Sequence, residues 1–282
     1  MNRVKKIFIN VFAMLMAVVC AFSFSGCSSS IVDAELDIKI YDFTEAEMDD
    51  YSLDIDIYSN LAPKTAAAII SYIKEGYYNN TVFYKLSDSK SQIMIGDLKY
   101  DESIVENEGF YLNTEKPMLE GEFKKGGTIG SDLKNVRGSI GLWRTWSAQD
   151  YSFNMGSTGT DTGRATWYLP TGNLTSYDDY FCVFAKYDIT DSSNVKAINA
   201  LEKAFSSSSN YEEFVIYYTG TYGNLQFHCV KKADFKESEI EDLFKAKENS
   251  EQLVCYNHYT ILVPMTEDGE IAARIVKAEI DK

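Results

Sequence analysis

The chain has 282 residues, 45% of them hydrophobic, and its 42 acidic against 27 basic side chains give a formal charge of −15. So large a negative excess argues against a nucleic-acid partner and against a face that binds anionic membranes electrostatically. Length and hydrophobic share suit one sizeable core, or one domain with an elaboration, inside a solubilising surface.

Residues 1–26 read as a signal peptide. Arg3, Lys5 and Lys6 precede an apolar run from Ile7 to Phe24, and no acidic residue comes before Asp33, which is the layout of an export signal. Phe24-Ser25-Gly26-Cys27 resembles a lipobox, in which Cys27 takes a diacylglyceryl group and becomes the new N-terminus. Residues 27–32 are then a lipidated tether and residues 33–282 a folded domain, held by lipid at the extracytoplasmic face of the cell membrane. A plain signal peptide or one membrane helix is the alternative, since the run approaches spanning length. The small-small-Cys ending followed by Ser28-Ser29-Ser30 favours lipidation. Two acyl chains anchor stably because each buried methylene contributes about 0.8 kcal/mol.

Cys20 leaves with the signal, so Cys182, Cys229 and Cys255 remain beside the lipid site. They lack C-x-x-C spacing, which indicates neither a zinc site nor a thioredoxin-like motif. One disulfide is compatible with three thiols, and buried thiols are the favoured state. His228 and His258 are far apart without ligand spacing. No metal and no other cofactor is expected.

Val32 to Ile40 alternates apolar with charged residues, a first strand within Ile31–Phe43. An acidic turn over Thr44–Asp50 leads to a second strand, where Leu53, Ile55 and Ile57 alternate with Asp54 and Asp56. Pro63 suits a first helical turn, and the Ala/Ile-rich stretch predicts a helix over Pro63–Lys74, with Gly76 placed for a left-handed cap. Tyr77–Asn80 is turn-like, Thr81–Leu86 a strand, and Leu98–Glu120 polar and irregular. Val195, Ile198, Leu201 and Ala204 have helical spacing, predicting a helix over Val195–Phe205. Residues 206–258 read as an insertion. It holds an aromatic strand over Phe214–Tyr218, a turn at Gly220-Thr221-Tyr222-Gly223, a strand over Leu225–Val230 and an acidic helix over Glu237–Lys247. Val254–Val263 and Ile271–Ile280 are strand-like, and the last closes the sheet.

Several blocks in this order resemble the cyclophilin family of peptidyl-prolyl isomerases. Ala62-Pro63-Lys64-Thr65 stands for the family helix start, and Gly76-Tyr77-Tyr78 for Gly-x-Tyr. Phe83-Tyr84-Lys85 is similar to Phe-His-Arg, and Ile95-Gly96-Asp97 to the end of Gln-Gly-Gly-Asp. Glu122-Phe123 and Asn135-Val136-Arg137-Gly138 through Trp143-Arg144 resemble Glu-Phe and His-x-Arg-Gly through Ala-Arg. Gly163 to Leu169 sits where Gly-Ser-Gln-Phe-Phe-Ile belongs, and Tyr177 to Lys186 is similar to Leu-Asp-Gly through Val-Phe-Gly.

The resemblance implies a mainly β fold, a closed antiparallel barrel with two flanking helices and a C-terminal α/β insertion. It also implies a site. Lys85 stands at the catalytic Arg, keeping the charge but not the planar fork. Phe83 belongs to the same block. Met94 takes the family Gln, or Gln92 does after a small shift. Trp143 and Arg144 border the peptide groove, Thr166 replaces a Gln, and Tyr168, Tyr177 and Phe181 replace pocket residues. Ordinary packing is the alternative for the three pocket rings, a solvated strand end for Lys85, and partner contacts for Trp143 and Trp146. The partners implied are proline-containing segments of exported proteins. Two functions follow: an isomerase assisting folding outside the membrane, or a module that binds such segments without accelerating them. A small-solute-binding lipoprotein fits the signal and the acidity but not these blocks.

Overall fold

The structure is a computed structural model. It describes residues 31–113, 116–123, 132–144, 163–221, 224–236, 238 and 256–281. The signal, Cys27, Cys255, Trp146 and nearly all of the acidic helix expected at Glu237–Lys247 lie outside the described residues. Among the described residues no helix is long and apolar enough to cross a membrane.

Strands β1 (Ile31–Asp42) and β2 (Glu47–Tyr58) form a long hairpin, paired from Ile31↔Tyr58 to Asp42↔Glu47. Alternation puts Ala34, Leu36, Ile38 and Ile40 inside with Leu53, Ile55 and Ile57. The turn is shorter than the expected Thr44–Asp50. Asp42 closes it, its Oδ1 accepting the Thr44 N–H at 2.7 Å and its carbonyl the Ala46 N–H at 2.8 Å, so pairing resumes at Glu47.

Helix α1 (Pro63–Lys74) has the predicted bounds. Buried Glu122 accepts the Lys64 and Thr65 N–H groups at 3.0 and 2.7 Å. It thus satisfies two orphan donors of the first turn with a charge the helix dipole favours. At the other end Gly76 N–H donates to Ile73 O and Tyr77 N–H to Tyr72 O, both at 2.9 Å. This is the Schellman arrangement, with Gly76 at φ +70°.

The chain continues through β3 (Thr81–Val82), β4 (Tyr84–Leu86), β5 (Ser89–Ile95), β6 (Leu98–Tyr100) and β7 (Phe110–Leu112). Next come β8 (Ser139–Arg144), β9 (Gly163–Pro170) and β10 (Val183–Lys186). Helix α2 (Ser192–Ala204) starts three residues before Val195, because Asp191 caps it by accepting the Ser193 and Asn194 N–H groups at 2.8 and 3.0 Å. Strands β11 (Tyr211–Thr221), β12 (Asn224–Lys231), β13 (Tyr256–Pro264) and β14 (Ala273–Ile280) follow.

All pairings between these strands are antiparallel. The ring runs β4-β5-β9-β8-β10-β2-β1-β14-β3, and closes because β3 and β4 are one strand interrupted at Phe83. The single strand expected over Thr81–Leu86 divides there. Its first part pairs with β14 and its second with β5 and β13, while Phe83 N–H donates to Ala273 O at 3.1 Å. The expected mainly β barrel with two helices is therefore present among the described residues.

Two cores lie on opposite sides of that shared strand. Phe83 belongs to the first, which fills the barrel and receives α1 and α2 through residues such as Ile69, Ile73, Ile198 and Leu201. Val82 and Tyr84 belong to the second, with Leu98, Phe110, Phe214, Ile216, Cys229, Ile261 and Val263. The stretch expected to be irregular after Leu98 is instead the β6–β7 hairpin, because Leu98 and Phe110 are buried in this second core. Strands β12 and β7, the two ends of the sheet order, meet over it. Phe110 lies 4.8 Å from Phe214 between ring centroids, and Cys229 N–H donates to Asn107 Oδ1 at 3.2 Å. Cys182 and Cys229 are free and buried, and burial pushes each thiol up to about 12.

Candidate functional site

Most of the expected site residues converge on the outer face of the barrel where β4, β5, β9 and β8 lie side by side. Register aligns Tyr84 with Met94, Met94 with Tyr168, and Tyr168 with Gly141. Gly141 leaves the space that Tyr168 occupies, since a Cβ there would stand 2.3 Å from the phenol Cζ.

Four rings build one wall. Tyr177 and Phe181 stack with centroids 4.5 Å apart, and Trp143 stacks on Phe181 at 5.4 Å. Tyr168 meets Trp143, Tyr177 and Phe181 edge-on at 6.1, 5.9 and 5.8 Å, the geometry that ring quadrupoles favour. Arg144 follows Trp143 on β8. Its guanidinium carbon lies 4.6 Å from the Phe123 centroid and 5.3 Å from that of Phe181. Burial lowers the Arg144 pKa from its ordinary value. A half-buried planar cation thus stands against the aromatic wall.

Lys85 does not share this face. Alternation sends it the opposite way from Tyr84, and its Nζ lies 4.9 Å from the centroid of Phe205, at the end of α2 in the first core. The residue expected as the catalytic cation therefore turns to the first core, while Met94 and Tyr168 belong to the second. Phe83, also expected at the peptide, is in the barrel core.

Thr166 is buried and, two residues from Tyr168 on β9, lies on the same face. Its hydroxyl donates to Asp97, which also accepts from the Tyr77 hydroxyl at 2.9 Å. Burial raises the Asp97 pKa, against those two bonds and the charge of Arg164. Gly96 makes this approach feasible. It sits at φ +140°, where a Cβ would be 2.5 Å from Ala165 O. The Gly96-Asp97 block thus holds β5 against β9.

Met94 and Gln92 are both fully buried, and alternation puts them on one face. Among the described residues neither amide atom of Gln92 has a hydrogen-bond partner. Leaving such a group unpaired costs about 1–3 kcal/mol. Among the described residues no group of three or more His, Cys, Asp or Glu side chains could hold a metal ion.

Sequence reasoning passed over Asn135 and Asp178. Asn135 accepts the Tyr168 hydroxyl on its Oδ1, and its backbone N–H donates to Asp178 Oδ1 at 2.9 Å. Its place in the Asn135-Val136-Arg137-Gly138 block was the only signal available.

The family model described as cyclophilin type peptidyl-prolyl cis-trans isomerase/CLD matches residues 43–219. Among solved structures, the chain is similar to a cyclophilin type peptidyl-prolyl cis-trans isomerase of Cryptosporidium parvum. Identity is 16% and the TM-score 0.41, over 64% of this chain and 88% of that one. The same Cryptosporidium parvum protein in the presence of the dipeptide ala-pro gives 18% identity and a TM-score of 0.38, over 61% and 89%. No curated protein matches the chain.

Proposed function

Since the chain belongs to the cyclophilin type peptidyl-prolyl cis-trans isomerase family, we propose that it isomerises X-Pro bonds in exported proteins, with Arg144 as the cation beside the twisting amide. Isomerisation needs no covalent step or proton shuttle. The barrier, about 18–20 kcal/mol, is the loss of amide resonance. A site lowers it by seating the proline ring on an apolar wall and donating to the amide as it rotates. Half-buried Trp143 supplies the accessible part of that wall, backed by the buried rings of Tyr168, Tyr177 and Phe181. The guanidinium over Phe181 carries the reading, because it is a fixed planar donor at the edge of that wall.

Export and lipidation at Cys27 place this activity outside the membrane, where secreted chains fold. A second reading, binding of proline-containing segments without acceleration, is favoured by the placement of Lys85, whose charge lies over Phe205 and not at the aromatic wall. The deciding experiment is a proline-isomerisation assay on the full chain, with peptide binding followed in parallel. Acceleration that Arg144→Ala removes supports the isomerase. Tight binding at the uncatalysed rate supports the binding module.

A further inference from the structure

Asn135 is fully buried, and its polar groups all bond to parts of the aromatic wall. Its N–H and Nδ2 donate to Asp178 Oδ1 at 2.9 and 3.2 Å. Its carbonyl accepts the Leu174 N–H at 2.7 Å, and its Oδ1 accepts the Tyr168 hydroxyl. Lys134 holds the other Asp178 oxygen at 3.3 Å. These partners belong to two separate pieces of the wall. Tyr168 stands on β9. Leu174 and Asp178 lie in the short loop that carries Tyr177 and Phe181, which is closed on itself by the Tyr177 N–H to Leu174 O at 2.8 Å and the Phe181 N–H to Tyr177 O at 3.1 Å.

We infer that Asn135 is the positioning residue of the peptide-binding face, fixing how far the Tyr177–Phe181 stack stands from Tyr168 and Trp143. The inference rests on reading that face as the site for proline-containing segments. A buried side-chain amide bonded through both its oxygen and its nitrogen favours one arrangement of its partners. Here those partners are the β9 ring and the loop that bears the other two rings. Burial works against the Asp178 carboxylate, but the bonds from Asn135 and Lys134 outweigh it and hold the pKa below the usual value. The node is therefore ionised and intact at neutral pH. Asn135 is enclosed beneath the wall, so it governs where a client sits and does not act on the rotating bond.

The test uses the full chain carrying Trp146→Phe. Of the chain's three tryptophans, Trp167 is fully buried, so acrylamide quenching then reads Trp143. Asn135→Ala should raise that quenching about twofold. The Michaelis constant for an X-Pro peptide should rise about tenfold with kcat within about twofold, the signature of lost uniform binding. Tyr168→Phe and Asp178→Ala each remove one arm and should move both readouts the same way by less. Adding Tyr168→Phe to Asn135→Ala should add little, because the two share one bond. Asp178→Asn keeps an oxygen for Asn135 but gives up the charge that Lys134 pairs with, and should fall between the parent and Asp178→Ala. Unchanged quenching and an unchanged Michaelis constant in folded Asn135→Ala overturn the inference. If Asn135→Ala does not fold, Asp178→Ala and Tyr168→Phe decide it by the same readouts. Raised quenching in a protein whose parent neither binds nor isomerises proline peptides overturns the peptide-site reading and leaves Asn135 as the residue that positions the rings.

Discussion

Replacing Arg144 and Lys85 in turn separates the cation that geometry favours from the one expected by position in the sequence. The Arg144 guanidinium lies over Phe181 at 5.3 Å and Phe123 at 4.6 Å. Each such contact contributes about 0.5–1 kcal/mol at a partly exposed site, and this part acts on bound and twisting peptide alike. A charge-assisted bond to the rotating amide contributes about 1.5–3 kcal/mol. Only what strengthens in the transition state raises the rate. Arg144→Ala should therefore lower kcat/KM about 10- to 100-fold. Arg144→Lys keeps the charge without the fork and should fall between. Lys85→Met keeps the buried stem and removes the charge over Phe205, so turnover should stay within about twofold of the parent. Protease-coupled or magnetisation-exchange isomerisation assays read these differences directly. Loss of turnover in Lys85→Met, with a parent-like rate in Arg144→Ala, would refute the assignment.

Cys27→Ala should release the protein from the membrane fraction or block its processing, and unchanged fractionation and mobility would rule out lipidation. Gly96→Ala forces a side chain into φ +140° and to 2.5 Å from Ala165 O. It should cost at least about 2 kcal/mol, read as a fall of several degrees in Tm, and a parent-like melt contradicts the close approach of β5 to β9. Asp42 has its pKa lowered to about 2, first by the hydrogen bond from Lys203 and then by the Thr44 N–H. A depressed carboxylate contributes stability that is complete above its unfolded pKa, near 4, and is lost as pH falls toward about 2. Asp42→Asn should flatten acid unfolding in that window, and an identical acid limb in the variant would contradict this linkage.

Much of the framework was legible because its causes are local. Pro63 and Gly76 bracket α1, and nothing between them competes with helix. Alternation from Val32 to Ile40 and from Leu53 to Ile57 gave a hairpin with one buried face, and long apolar periodicity gave α2. The start of α2 was missed by three residues since apolar spacing does not register a cap such as Asp191. The β6–β7 hairpin went unseen because three-residue strands are too short to show a period. Their pairing depends on Phe110 meeting Phe214 from a distant part of the chain.

The site was less legible than the fold. The sequence brought Met94, Trp143, Tyr168, Tyr177 and Phe181 to attention, and the structure gathers them on one face. It could not assign Lys85 to a face, because a strand interrupted at Phe83 changes partners there and a position in a block carries no direction. Nor could it connect Glu122 to the start of α1, or Asn135 to Tyr168 and Asp178, since hydrogen bonds between residues far apart in sequence leave no local pattern. By itself the sequence determined the helices, the long strands and the family blocks, all products of short-range sterics and side-chain period. Tertiary structure alone decided which cation meets the aromatic wall and what fixes that wall's width. Both depend on which strands become neighbours once the barrel closes.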